Sequence, residues 1–503
     1  MRKLFVLVLV IVVAAGAWVV WFIQDANRFK PELLALIEEE TGVPVEIRGN
    51  LRWRLNPPLL LTAEDIHAEY DGRQWSLARL ALHVNLASLI AERKSFDEWQ
   101  IDDLTLTDLV MLDGNDRLEV AELELSDLGL DTRVPMATKL TYTPAGGTPI
   151  PLSLTGDITY HSATEAIDLD DFVFDVPYAQ GQCDLELVPS RRTWPPSKSA
   201  DGALLPLDTL REFNWNGTCD LARVTYQERD FEDVRLALDN SDAKLRVSGH
   251  VPAFFGGTAD LEINIAADQQ PVTWTITPTL DNVDSQQLID WLDQSLQWAA
   301  PIAYGGTFEL TGNTTEELAS SVTGRTHFDG GQGQLNIAKI KRQLLAIALL
   351  LGKSDTIQRW PDVLDYQRFV GDWRIDRQHH TLDFALDNLT VLAEGDYDIN
   401  QDRLDMLAEL TFGDDPALSS LDVNPLLVGL PIPVRCRGTL EDPTCKVDDN
   451  VAKRLVASAL RAKEGSALRT KLDDAIEDKI PEEYRDAARS LLDLLGRSLG
   501  KED

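Results

Sequence analysis

Along most of the chain, apolar and polar residues alternate with a period of two, the pattern of strands with one packed face and one wet face. It is legible in VEIRG from Val45, LRWRL from Leu51, LLLTAEDI from Leu59, LARLALHVNL from Leu77, DDLTLTDL from Asp102 and AELELSDL from Ala121. It recurs at Leu245 and Val247, at Leu261, Ile263 and Ile265, at Leu382, Phe384 and Leu386, and at Leu404, Met406, Leu410 and Phe412. These apolar positions predict the inner face of a mainly β, antiparallel body whose other face is acid-rich. Helical spacing is rarer. Pro31 and Glu32 open a short amphipathic run with Leu33, Leu34 and Ile37 on one face, and Gly42 supplies its left-handed stop. Two more helices are expected, over 285–298 and over 337–352, and the tail over 450–503 is helical in character. The Pro/Ser-rich stretch 189–206 reads as a linker or long loop.

The first segment has a different character. Leu4 to Ile23 is a run of 20 residues without a charge, the length that spans a bilayer as a helix. Arg2 and Lys3 precede it, so the N-terminus is expected in the cytoplasm and everything after Gln24 on the far side. A cleaved signal peptide is the competing reading, since Ala15 and Ala17 form an A-x-A-like site. Cleavage there leaves WVVWFI as a very apolar new terminus, whereas an uncut helix sets Trp18 and Trp21 at the interface that suits indoles. The anchor is preferred.

Charge narrows the partners. The 503 residues carry 83 acidic and 47 basic side chains, a net −36 that repels nucleic-acid phosphates. A hydrophobic share of 44% marks this acidity as a solvated surface of a folded chain. Cys436 and Cys445 flank a turn containing Gly438 and Pro443, so a hairpin there brings them within bridging range. Cys183 and Cys219 occupy two similar strand fragments, GQCDLEL and GTCDLAR. Free buried cysteine is the alternative for both pairs.

No constellation for catalysis emerges, so no enzyme, cofactor or metal is expected. The seven histidines, His67, His83, His161, His250, His327, His379 and His380, are scattered without metal-ligand spacing. His379 and His380 are read as solvated turn residues. A serine nucleophile elbow is missing. Gly352, Lys353 and Ser354 end a chance P-loop match, because Ile347 stands where its first glycine belongs. Asp168, Asp170, Asp171 and Asp175 lack the glycine and glutamate of a calcium loop and are expected on a wet strand face.

Two blocks resemble the AsmA-like proteins of bacterial envelopes. Glu40 to Ile66, ETGVPVEIRGNLRWRLNPPLLLTAEDI, is similar to that family's opening signature after its membrane helix. Gly306 to Ile337 and Val423 to Asp448, with GLPIPVRCRGTLEDP, are similar to its C-terminal pattern. The resemblance implies a single inner-membrane helix over 1–24, a curled antiparallel β-groove over 25–188 and 207–449, and a periplasmic body. It also implies that phospholipid and the inner membrane are partners and that the function is support of outer-membrane biogenesis, by holding or transferring phospholipid in an apolar groove. The alternative is a scaffold that assists outer-membrane protein assembly, with outer-membrane or periplasmic assembly proteins as partners.

Overall fold

A computed structural model describes residues 26–447 apart from 55–58, 71, 85–100, 115, 130, 195–201, 339–340, 343–344, 346–356, 419, 424–427, 430 and 440–442. The expected anchor, much of the 337–352 helix, the middle of the 189–206 loop and the 450–503 tail lie outside the described residues. Among the described residues, no helix is long and apolar enough to cross a membrane. What is described is mainly β: long antiparallel sheet with few helices, as the alternation predicts.

The chain divides into two compact units, residues 1–194 with 209–242, and 195–208 with 243–503. The expected break over 189–206 does not separate them. The strands on either side of that loop pair along their length, Ala179 opposite Val224 through to Pro189 opposite Phe213, and this pairing ties them into one body.

In the first unit, helix α1 (Lys30–Thr41) carries Pro31 in its first turn and stops at Gly42, whose φ of 68° is left-handed. The Gly42 N–H donates to the Glu38 carbonyl at 2.9 Å. Leu33 and Leu34 of α1 pack on a core of Ala26, Ile47, Leu51 and Ala63. Lys30 Nζ fixes the helix to the sheet by donating to the carbonyls of Ile47 and Gly49, at 3.1 and 2.7 Å. Strands β1 (Val45–Ile47) and β2 (Leu51–Arg54) both pair with β3 (Leu59–Tyr70). From there the strands run in sequence order: β4 (Arg73–Val84), β5 (Ile101–Asp113), β6 (Asp116–Leu128), β7 (Arg133–Thr143), β8 (Ile150–His161) and β9 (Ala166–Val176). The unit ends with β10 (Ala179–Pro189), β11 (Phe213–Tyr226) and β12 (Arg229–Ser241), each antiparallel to the one before.

The strict period of two breaks inside several of these strands, and the structure gives the reason. Asp65, Asp108, Asp127, Asp171 and Asp233 have φ between 51° and 56° in the middle or near the ends of strands, as does Asn282 of the second unit at 53°. A left-handed residue shifts the pleat by one position, so the apolar series steps by three and stays on one face: Leu104, Leu106, then Leu109 and Met111 around Asp108. At Asp171 the strand holds one residue more than its neighbours, a β-bulge. Asp and Asn tolerate this conformation; β-branched residues do not. Asp233→Val is therefore expected to destabilise the protein by about 1–2 kcal/mol, with Asp233→Asn near neutral. Urea unfolding of both variants checks this.

The second unit runs β13 (Lys244–Phe254), β14 (Gly257–Ala266) and β15 (Thr273–Asp284), then β17 (Pro301–Thr311) and β18 (Thr323–Asp329). Strand β18 pairs directly with β21 (Phe369–Asp376), followed by β22 (His379–Leu386), β23 (Leu389–Asp398), β24 (Arg403–Phe412), β25 (Ile432–Gly438) and β26 (Pro443–Val447). The excursion between β18 and β21 leaves this order. Its strands β19 (Gly333–Asn336) and β20 (Val363–Tyr366) join β16 (Trp298–Ala299) in a separate small sheet. Among the described residues, no pairing closes either unit into a barrel.

The helix expected over 285–298 is shorter than the periodicity suggests. Helix α2 (Ser285–Trp291) is capped by Asp284, whose side chain accepts from the Gln287 N–H. It stops because Asp293 turns left-handed, with φ 54°, and Trp298 goes into β16 instead. Helix α3 (Thr315–Ser321) has the reciprocal Thr314 and Glu317 capping box, a signal present in the sequence as TTEE.

Candidate functional site

Cross-strand register carries apolar rows from strand to strand. In the first unit Leu61, Leu82, Leu104, Leu125 and Met136 are successive partners. A second row joins Leu80, Leu106, Leu123, Thr138, Leu154 and Phe174. Helix α1 covers the beginning of this face, where Leu61, Ile66 and Leu80 pack under it. Farther along, Leu104, Leu106, Leu123, Leu125 and Leu154 are only half-buried. A third row, Leu109, Val120, Leu140 and Leu152, lines a cavity of about 550 Å³ across β5 to β8, with Asp108 and Lys139 also in its lining.

In the second unit the twelve apolar positions singled out from the sequence fall on one face. Leu245 faces Ile265, and Val247 faces Ile263. Leu261 follows two residues on in the same series, and at 41% exposure it is the most open of the twelve. Ile263 continues through Ile276, Phe308, Gly324, Ile375 and His380 to Gly395 and Met406. Leu382, Phe384 and Leu386 alternate along β22, and Leu404, Met406, Leu410 and Phe412 along β24. They differ in cover. Leu386 and Phe412 are each 4% exposed, beside an aromatic cluster to which the small sheet contributes Trp298 and Tyr366. Trp298 meets Phe369 at 5.1 Å, Tyr366 meets Phe369 at 5.7 Å, and Trp360 meets Phe412 at 6.1 Å.

Histidine placement corrects one expectation. His379 and His380 are strand residues of β22, not turn residues. His379 points outward, its two ring nitrogens each 3.2 Å from a carboxylate of Asp396 or Glu394. His380 is 6% exposed on the apolar face. There it accepts from Trp373 Nε1 at 3.1 Å, stacks on that indole and meets the Tyr397 ring at 5.8 Å. Alternation across a strand separates two adjacent histidines in this way, but only the fold shows which of them is inside.

The environments push the two in opposite directions. The hydrogen bond that His379 donates to the Asp396 carboxylate holds it above the ordinary histidine value, while burial holds His380 below it. His379 thus adds stability that is present below about pH 6.5 and fades as pH rises through its raised pKa; His380 subtracts stability as pH falls below about 6.5. Histidine NMR should show His379 titrating above, and His380 below, the ordinary value.

The opposite face is polar and paired across strands. Arg133 reaches Asp157 at 2.6 Å and Asp171 at 2.7 Å, and Asp405 receives Arg435 at 2.8 Å and Arg437 at 3.1 Å. His161 donates toward Asp168 at 2.7 Å, Asp168 and Asp170 are half-buried, and Asp171 and Asp175 are exposed. Among the described residues, no group of three or more potential ligands converges to hold a metal.

Both cysteine pairs are bonded, and both join directly opposed residues on the apolar side. Cys183 of β10 bonds Cys219 of β11, at 7% and 6% exposure, and Cys436 of β25 bonds Cys445 of β26. Comparison of the chain with protein-family models, with curated proteins and with solved structures finds no match.

Proposed function

We propose that this protein holds the aliphatic part of phospholipid on the apolar face of its sheet, anchored by residues 1–24 in the inner membrane with its body in the periplasm. On this reading the sheet curls into a trough, and the protein supports outer-membrane biogenesis by holding or passing on lipid. The observation that carries the proposal is the row holding half-buried Leu106, Leu123 and Leu154, with Leu104 and Leu125 half-buried in the row beside it. It is apolar but for buried Thr138, crosses strand after strand in register, and backs onto an acid-bearing opposite face. Two disulfides suit an oxidising compartment. The AsmA-like sequence blocks point the same way.

One observation favours the second reading, a scaffold for outer-membrane protein assembly. Around Leu386 and Phe412 the apolar face is closed by protein side chains, as in an ordinary core. In-cell photo-crosslinking distinguishes the two. A benzophenone side chain at Leu106 or Leu123 should capture lipid and one at Glu122 or Glu124 should not. Protein adducts at Leu106 would favour the scaffold.

A further inference from the structure

Resting on the lipid-holding reading, we infer that the second unit narrows the apolar face to a single-chain furrow floored by Leu382, Ala393 and Ala408, which admits one aliphatic chain of a lipid at a time.

The furrow is defined by burial. Trp373, Leu382, Ala393 and Ala408 are successive cross-strand partners on β21 to β24, and all four are half-buried. The row on one side holds Ile375, His380 and Met406, at 7%, 6% and 8% exposure. On the other side Val391 and Leu410 are 7% and 8% exposed, and half-buried Phe384 of the same row meets Phe369 at 5.9 Å. The row that is half-buried on all four strands therefore runs between two that are buried except at Gly395 and Phe384. Same-face rows stand about 7 Å apart along a strand. The flanking rows are thus about 13 Å apart, and their own side chains fill part of that width. One extended hydrocarbon chain fits; two side by side do not. The floor suits such a guest because Ala393 and Ala408 leave space where the neighbouring rows carry Leu, Val and Met.

Charge selects the same occupant. The residues on the opposite face of the same strands include Asp372, Asp383, Glu394 and Glu409, all exposed. Trp373, Leu382, Ala393 and Ala408 carry no charge, and of the titratable groups near them on this face His380 is engaged by Trp373 and Tyr397 donates to Asp402 at 3.2 Å. A peptide entering here would leave its backbone N–H and C=O groups without partners on this floor, at a cost an aliphatic chain does not incur.

The test uses the full chain in vesicles of phosphatidylethanolamine and phosphatidylglycerol with a radiolabelled acyl chain. A benzophenone residue is placed at Leu382, at Asp383 on the opposite face, or at Leu123 in the first unit. Label is expected at Leu382 and Leu123 and not at Asp383. Ala408→Trp should lower the Leu382 adduct at least tenfold while the Leu123 adduct persists, and Ala408→Ser should change neither. Ala393→Leu, a smaller intrusion, should lower the Leu382 adduct less and guards against misfolding of the Trp variant. An equal Leu382 adduct in Ala408→Trp and Ala408→Ser, or a protein adduct in place of lipid, overturns the furrow. Label at Leu123 alone rejects the furrow and leaves the lipid-holding reading standing. No label at either site rejects that reading itself.

Discussion

Leu106→Asp and Leu123→Asp, alone or together, should strip bound lipid from the first unit while the sheet persists. The two side chains face each other across β5 and β6 and are half-buried, so a carboxylate at either place can reach water in the empty protein. Against hydrocarbon it cannot, and a charge there costs about 3 kcal/mol, roughly a hundredfold in occupancy. Glu122→Asp and Glu124→Asp on the opposite face should leave lipid content unchanged. The choice of position matters. Aspartate at Ile265 or Leu386, each 4% exposed, would place a charge in a closed core and unfold the region, which reports on packing and not on lipid. Lipid extracted from each variant and weighed against protein gives the answer, with circular dichroism as the check on the sheet.

The second large effect concerns Cys183 and Cys219. Their bond closes a loop with a sequence separation of 36 that contains the long 189–206 segment, so it restrains the unfolded chain strongly. Replacing both by alanine should cost about 3–4 kcal/mol. The Cys436–Cys445 bond, with a separation of 9, closes a shorter loop, and its removal should cost less. Urea unfolding of the two double-alanine variants ranks them; an equal or reversed order contradicts the loop argument.

Much of this fold was legible because strands with one apolar face write their pattern into the sequence. Leu382, Phe384 and Leu386 alternate, and they share a face in β22. The short helix with Gly42 at its end was equally clear, since only a residue tolerant of positive φ stops a helix that way. Three features were hidden for physical reasons. A period-two template has no place for Asp108, whose left-handed backbone makes the step from Leu106 to Leu109 a continuation of one face. Helical spacing over 285–298 persisted past Trp291 because it says nothing of Asp293 turning left-handed. Cover was illegible altogether: Leu106 and Leu386 look alike in sequence, yet one is half-open and the other is 4% exposed beside its cross-strand partner Phe369.

The most direct measurement is mass spectrometry of lipids carried by the chain lacking residues 1–24, expressed in the periplasm and purified without detergent. The account predicts phospholipid in stoichiometric amount, lost in Leu106→Asp with Leu123→Asp. A folded protein free of lipid, or lipid content indifferent to those substitutions, would contradict it.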